Sequence, residues 1–274
     1  MLLLAPQILF LFVLLGSLAG LLAGLLGIGG GIILVPLFLW VFKYAGFSPE
    51  ITVHAAFGTS LCIIIPTAIS STLGHRKRGN VDWHHILRLA LGGIGGALVG
   101  GSLAAALSGD WLKIFFGLMQ ILVAFKLVFF QPHLPPERTG LLPASQLLAV
   151  GFAGGAFSAF FGVGGGVIAV PLMLIILQLP IHLAVGNSSA LIVVSSIFGM
   201  LSYVYHGWNL PNLPPYSLGY VNVLVAALVA PFTIVFARVG VKLTGRLSHA
   251  KLIKIFALVL TLVGARIIFN TLFF

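Results

Sequence analysis

Three consecutive glycines occur twice in this chain within the same ten-residue phrase, Gly27-Ile-Gly-Gly-Gly-Ile-Ile-Leu-Val-Pro36 and Gly162-Val-Gly-Gly-Gly-Val-Ile-Ala-Val-Pro171, 135 positions apart. Each phrase interrupts an apolar stretch. A helix broken at such a point presents backbone N–H groups without intrahelical partners and the positive end of its dipole, and glycine lets a ligand come close to that backbone. The guest that suits such a cradle is an anion. Gly29, Gly30 and Gly31 with Gly164, Gly165 and Gly166 are therefore candidate substrate-binding residues, forming two related cradles that could face each other near the middle of a bilayer. Tight helix crossing is the other use of glycine in apolar segments. It needs only a four-residue spacing, whereas three in a row favour a break in the backbone.

A second repeated block supplies side chains. Thr59 and Ser60 follow Gly58, and Asn187 and Ser188 follow Gly186, at an offset of 128. Their hydroxyl and amide groups can donate to an anion, although Ser and Thr inside helices also bond back to their own backbone. The exchange of Thr59 for Asn187 means that the site need not be symmetric.

Other chemistries find little footing. Neither glycine phrase is followed by Lys-Ser or Lys-Thr, and no acidic residue follows at the spacing of a dinucleotide fold, so nucleotide-binding loops are excluded. All four acidic residues, Glu50, Asp82, Asp110 and Glu137, lie in connections between apolar runs, which removes support for cation carriage or a carboxylate relay. His54, His75 and His206 lack a second metal ligand at useful spacing and read as interfacial or structural, as do His84 and His85 beside Trp83. No nucleophile with a base at motif spacing is present, so no enzyme activity, metal or cofactor is expected. The lone Cys62 reads as a small apolar packing residue and allows no intrachain disulfide.

The elements that must carry these residues follow from composition. Of 274 residues 60% are hydrophobic and 7% charged, far more apolar surface than one soluble core could hide, and the runs are continuous rather than alternating. The fold class is an all-α polytopic membrane bundle. The formal charge of +10 belongs to topology rather than to nucleic acid, because the basic residues gather in short connections. Ten apolar segments are expected: Pro6 to Leu26, Ile32 to Phe42, Ala55 to Leu73, Ile86 to Leu107, Leu112 to Phe130, Ser145 to Phe161, Val167 to Leu177, Leu183 to Tyr205, Ser217 to Ala237 and Leu252 to Phe273. The first is read as a retained helix rather than a signal peptide. Segments two and seven, at about 17 Å, fall well short of the ~30 Å hydrocarbon core and read as half-length helices that follow the glycine breaks. Whether Pro36 and Pro171 start or kink them is open at this point. The spacings Gly16, Gly20, Gly24 and Gly92, Gly96, Gly100 are assigned to helix contacts.

Five segments make one repeat, so the division is 1–130, a linker 131–144, and 145–274. An odd number of crossings requires the halves to be inverted. Arg76, Lys77, Arg78, Arg88, Lys126, Arg138, Arg238, Lys242, Arg246, Lys251 and Lys254 then fall on one side and Lys43, Lys113 and Arg266 on the other. This split puts the first group in the cytoplasm and both termini outside.

With their order and duplication, Gly27-Ile-Gly-Gly-Gly31 with Val35-Pro36, Ala56-Phe-Gly-Thr-Ser60, His75 to Gly79 with Val81-Asp82, Gly162-Val-Gly-Gly-Gly166 with Val170-Pro171 and Gly186-Asn-Ser188 resemble the TauE/SafE family of sulfite exporters, also called TSUP. The resemblance covers nearly the whole chain. It implies a bacterial-type cell-membrane permease for sulfite or a related small sulfur-containing anion, working without ATP hydrolysis, and its glycine phrases fall on the residues chosen above. An importer of sulfur-containing or carboxylate anions is the alternative transport reading, and a membrane scaffold without a transported ligand is the other.

Overall fold

The computed structural model describes residues 2–26, 29–129, 142–211, 213–243 and 249–273. Ten helices follow a short turn at Leu2–Leu4: α1 (Pro6–Leu26), α2 (Gly31–Tyr44), α3 (Pro49–Arg76), α4 (Trp83–Ala106), α5 (Gly109–Phe129), α6 (Ala144–Phe161), α7 (Gly166–Ile175), α8 (Ile181–Gly207), α9 (Val223–Leu243) and α10 (His249–Phe273). Two two-residue strands, β1 (Ser217–Leu218) and β2 (Val221–Asn222), pair antiparallel before α9. The ninth segment expected from sequence thus begins too early. Ser217 to Asn222 form this hairpin, and the helix starts at Val223, where the Asn222 Oδ1 accepts the Val225 N–H at 3.0 Å as an N-cap. Most of the linker expected at 131–144 lies outside the described residues.

Six helices, α1, α3, α4, α6, α8 and α9, are long and apolar enough to cross a membrane. The chain is therefore a multi-pass membrane protein with its apolar surface in the bilayer. α2 and α7 have 14 and 10 residues, reaching about 21 and 15 Å. Each starts just after a glycine in the left-handed region, Gly30 at φ 79° and Gly165 at φ 74°. Pro36 and Pro171 are each the sixth helical residue, so they neither start nor end a helix. A proline there removes the N–H that would bond four residues back. At Pro36 the freed carbonyl, Ile32 O, accepts from the Gln120 Nε2 of α5 at 3.0 Å, and that Gln is fully buried.

Small residues set the closest helix pairs. Gly92, Gly96 and Gly100 of α4 lie against the carbonyls of Leu148, Phe152 and Ala156 in that order, so α4 and α6 run parallel. Gly20 and Gly24 of α1 lie likewise against the carbonyls of Thr233 and Ala237, so α1 runs parallel to α9. These contacts are close enough that a Cβ would strike backbone, as small-residue packing in membranes requires. α3 crosses α8 antiparallel: Ser71 touches Ser189, Leu61 lies beside Gly199, and Tyr203 beside Gly58. α5 and α10 are antiparallel too, with Gly117 against Ile268 and Gly264 against Ile121. Together with α3 on α9, α4 on α8, α2 on α3, α7 on α8, α1 on α2 and α6 on α7, each pairing becomes another, or itself, when every helix is exchanged for the one five places along. Stacked rings of Phe38, Phe42 and Phe47, with Phe12 edge-on to Phe38, fill the core between α1 and α2.

Candidate functional site at the paired glycine breaks

The two breaks meet. Gly29 and Gly30 have φ of 84° and 79°, Gly164 and Gly165 of 90° and 74°, a region that glycine enters without the steric penalty of a side chain. A Cβ on Gly29 would stand 2.8 Å from the Val163 carbonyl oxygen and 3.2 Å from the Gly164 Cα, and one on Gly164 3.3 Å from the Gly29 Cα. Ile64 and Ile192, equivalent at 64 + 128, flank the contact from α3 and α8. Gly30 approaches the Ala19 carbonyl of α1 and Gly165 that of Gly154 in α6, equivalent at 19 + 135. Gly31 lies against the Gly162 carbonyl, 2.6 Å from where its Cβ would be. The first bonds of the two short helices run from Ile33 and Leu34 to the Gly30 carbonyl, and from Ile168 and Ala169 to that of Gly165. The N–H groups of Gly31 and Ile32, and of Gly166 and Val167, are outside these ladders at helix N-termini that start inside the protein.

The polar candidates lie on either side of this contact. Thr59 Oγ1 accepts the backbone N–H of Asn222 at 2.9 Å, and Asn187 Oδ1 accepts that of Asp82 at 2.8 Å. Gly58 lies against the carbonyl of Tyr220, and Gly186 against that of Asn80. Each Gly-Thr or Gly-Asn pair therefore holds the chain leading into α9 or α4, the helix that begins in the other half. Asp82, in turn, caps α4 through the His84 N–H at 2.9 Å. Ser60 and Ser188 are fully buried, the Ser60 Oγ has no hydrogen-bond partner, and neither has the Asn187 Nδ2. The structure thus brings Gly29 to Gly31 and Gly164 to Gly166 together, and directs the Thr59 and Asn187 oxygens to opposite ends of α3 and α8.

Two buried histidines bind carbonyls of other helices. His75 Nε2 lies 3.3 Å from the Gly24 carbonyl in the last turn of α1, and His54 Nε2 lies 3.2 Å from that of Ala104 at the end of α4. Tyr203 donates to the Ala159 carbonyl at 3.0 Å in the last turn of α6. Since 75 + 128 is 203 and 24 + 135 is 159, His75 and Tyr203 perform one task, capping the helix that precedes each break. Sequence reading missed Tyr203, Gln120, Asn222 and the hydroxyls at Ser71, Thr72 and Ser189. Tyr203 was findable, because the offset that pairs Thr59 with Asn187 also pairs it with His75.

At that end of α3 the Arg78 guanidinium donates to the Lys242 carbonyl at 3.2 Å, and Arg238 Nε to Ser70 Oγ at 3.2 Å. Among the described residues neither arginine has an acidic partner. No group of three His, Cys, Asp or Glu among them could hold a metal ion.

The family model for the sulfite exporter TauE/SafE matches residues 12–267. The chain is 28% identical over 280 residues to the "Probable membrane transporter protein YunE" of Bacillus subtilis, covering 96% of this chain and 98% of the relative. It is 31% identical over 254 residues to a "Probable membrane transporter protein" of Haemophilus influenzae, covering 93% and 96%. To "Probable membrane transporter protein MJ0441" of Methanocaldococcus jannaschii it is 28% identical, covering 87% of each. No solved structure matches the chain.

Proposed function

The chain belongs to the TauE/SafE sulfite exporter family, and from that premise we propose that this membrane transporter carries sulfite or a related organosulfur anion out of the cell. Alternating access between two inverted five-helix halves, 1–130 and 145–274, provides the route. One observation supports the mechanism: α3 lies antiparallel to its equivalent α8, and Ile64 and Ile192 from these two helices flank the contact of Gly29 with Gly164. In one arrangement the breaks touch and close the path. Rocking one half against the other separates them, and the N–H groups at the starts of α2 and α7 then face an anion between the halves.

Gly29, Gly30, Gly31, Gly164, Gly165 and Gly166 supply that backbone, while Ser60, Ser188, Thr59 and Asn187 line the approaches. The Thr59 hydroxyl hydrogen and the Asn187 amide remain able to donate, since only the oxygens are engaged by Asn222 and Asp82. Both termini lie outside the cell and the basic connections inside. A negative interior favours export by about 2.3 kcal/mol for each negative charge per 100 mV. The test is flux of labelled sulfite, sulfoacetate and a divalent metal cation in proteoliposomes, with and without an imposed potential. Anion efflux that rises with inside-negative potential is expected, and cation flux without anion flux overturns the reading.

A further inference from the structure

Where α3 crosses α8 beside the end of α1, polar groups are buried that the equivalent crossing at the other end of the two helices replaces. Ser71, Thr72 and His75 of α3 and Ser189 of α8 are at most 6% exposed. Ser71 and Ser189 touch hydroxyl to hydroxyl at 3.1 Å, whereas Thr72 Oγ1 and His75 Nδ1 have no partner at all. His75 lies three residues after Thr72 and four after Ser71, so the three share one side of α3. The equivalent positions at an offset of 128 are Gly199, Met200, Tyr203 and Leu61. There the only polar side chain, Tyr203, has its hydroxyl satisfied by the Ala159 carbonyl. Packing alone explains that crossing. It does not explain two unmet hydrogen-bonding atoms within one turn of α3 at this one, because buried polar atoms are nearly always paired.

The chemistry of His75 limits what can meet them. The Gly24 carbonyl only accepts, so Nε2 carries a hydrogen, and in the neutral ring Nδ1 is a bare lone pair. A fully ionised oxyanion is repelled by that lone pair. An oxyanion that carries a hydrogen can donate it there, and an ionised one can bind once Nδ1 is protonated. Both complexes contain the anion and one proton. The surrounding charge favours an anion: α3 ends in Arg76, with Lys77 and Arg78 just beyond it, α9 has Arg238 and Lys242, α4 has Arg88 near its start, and α5 has Lys126. α1, α6 and β2 bring no charged group, Lys43 of α2 lies at the far end with Glu50, Asp110 and Lys113, and Asp82 is held by His84 N and His85.

We propose that Thr72, His75 and the Ser71–Ser189 hydroxyl pair form a loading site, on the side of the first glycine break where α1 ends, that takes an oxyanion together with one proton. The site rests on the anion-transport reading above and adds its proton stoichiometry. No covalent step is involved: the proton comes from solvent or arrives on the anion, and it leaves with the anion at release.

The test is sulfite binding to the purified full chain in weakly buffered detergent well above neutral pH, where free sulfite is the dianion, with a pH-indicator dye counting protons. The wild-type protein is expected to take up about one proton per sulfite bound, and its affinity to fall about tenfold per pH unit. His75→Gln keeps a donor for the Gly24 carbonyl but cannot titrate, and His75→Tyr copies the second half. Both are expected to bind sulfite at least tenfold more weakly, without proton uptake and with a flat pH dependence. A purely structural cap predicts altered affinity with the proton count unchanged. Sulfite binding without proton uptake by the wild type, or unchanged uptake in both variants, overturns this inference and leaves anion transport standing. Neither binding nor flux of sulfite in the wild type removes the transport reading and the inference with it.

Discussion

Replacing Gly29 or Gly164 with alanine places a methyl group where the two breaks touch backbone to backbone. Two costs add. At φ of 84° and 90° an L-residue loses roughly 1–2 kcal/mol to the clash of its Cβ with its own backbone. The new carbon on Gly29 then stands 2.8 Å from the Val163 carbonyl oxygen, a neighbour that cannot swing aside as a side-chain tip would, and overpacking of this kind costs about 1–3 kcal/mol. The expected loss is therefore about 2–5 kcal/mol for Gly29→Ala. Gly46 is the internal control, because it has φ of 83° but nothing within 4 Å of its would-be Cβ. Gly46→Ala should show only the conformational part, about 1–2 kcal/mol. Equilibrium unfolding in mixed detergent and lipid micelles, titrated with a denaturing detergent, reads the three variants side by side. Equal losses at Gly29, Gly164 and Gly46 would mean that the breaks do not touch, and the closed state described here would fall with that result.

Gly30→Val and Gly165→Val should insert normally yet abolish anion flux, since branched side chains fit neither the backbone angle nor the approach of a ligand; normal flux with unchanged affinity in both demotes these glycines to packing. Arg78→Cys should react with an impermeant thiol reagent only from the cytoplasm and Asn209→Cys only from outside; labelling from one common side refutes the inverted halves. Gln120→Leu should destabilise by about 1–3 kcal/mol, because it strips the partner from the Ile32 carbonyl. Part of that loss should return in a Pro36→Ala background, where the restored N–H can reach the same carbonyl, and purely additive losses in the double-mutant cycle refute the link. Thr59→Val and Asn187→Leu each leave a backbone N–H of the opposite half without its acceptor. Each should cost about 1–3 kcal/mol of stability, and unchanged unfolding curves would show that these bonds do not hold the halves together.

The sequence alone determined the class of molecule and the places where its helices break. Continuous apolar runs point to helices in lipid, and three consecutive glycines, each costing a helix about 1 kcal/mol, mark a place where it can break. Accordingly α1 matches its expected span to the residue, α2 and α7 are short, and the four-residue glycine spacings lie at the α1–α9 and α4–α6 contacts. The prolines were undecided because their meaning depends on a distant residue: Pro36 sits inside a helix, and the Ile32 carbonyl it orphans is met by Gln120, 88 positions further along the chain. The start of α9 was misplaced because Ser217 to Asn222 are apolar enough to extend a span, and only pairing across the hairpin fixes them as strands. Side-chain roles were decided by tertiary structure for the same reason. A hydroxyl or amide in a sequence is equally a ligand and a latch. Only the approach of Asn222 to Thr59 and of Asp82 to Asn187 shows which atoms are engaged, and which, on Ser60, Thr72 and His75, are left without a partner.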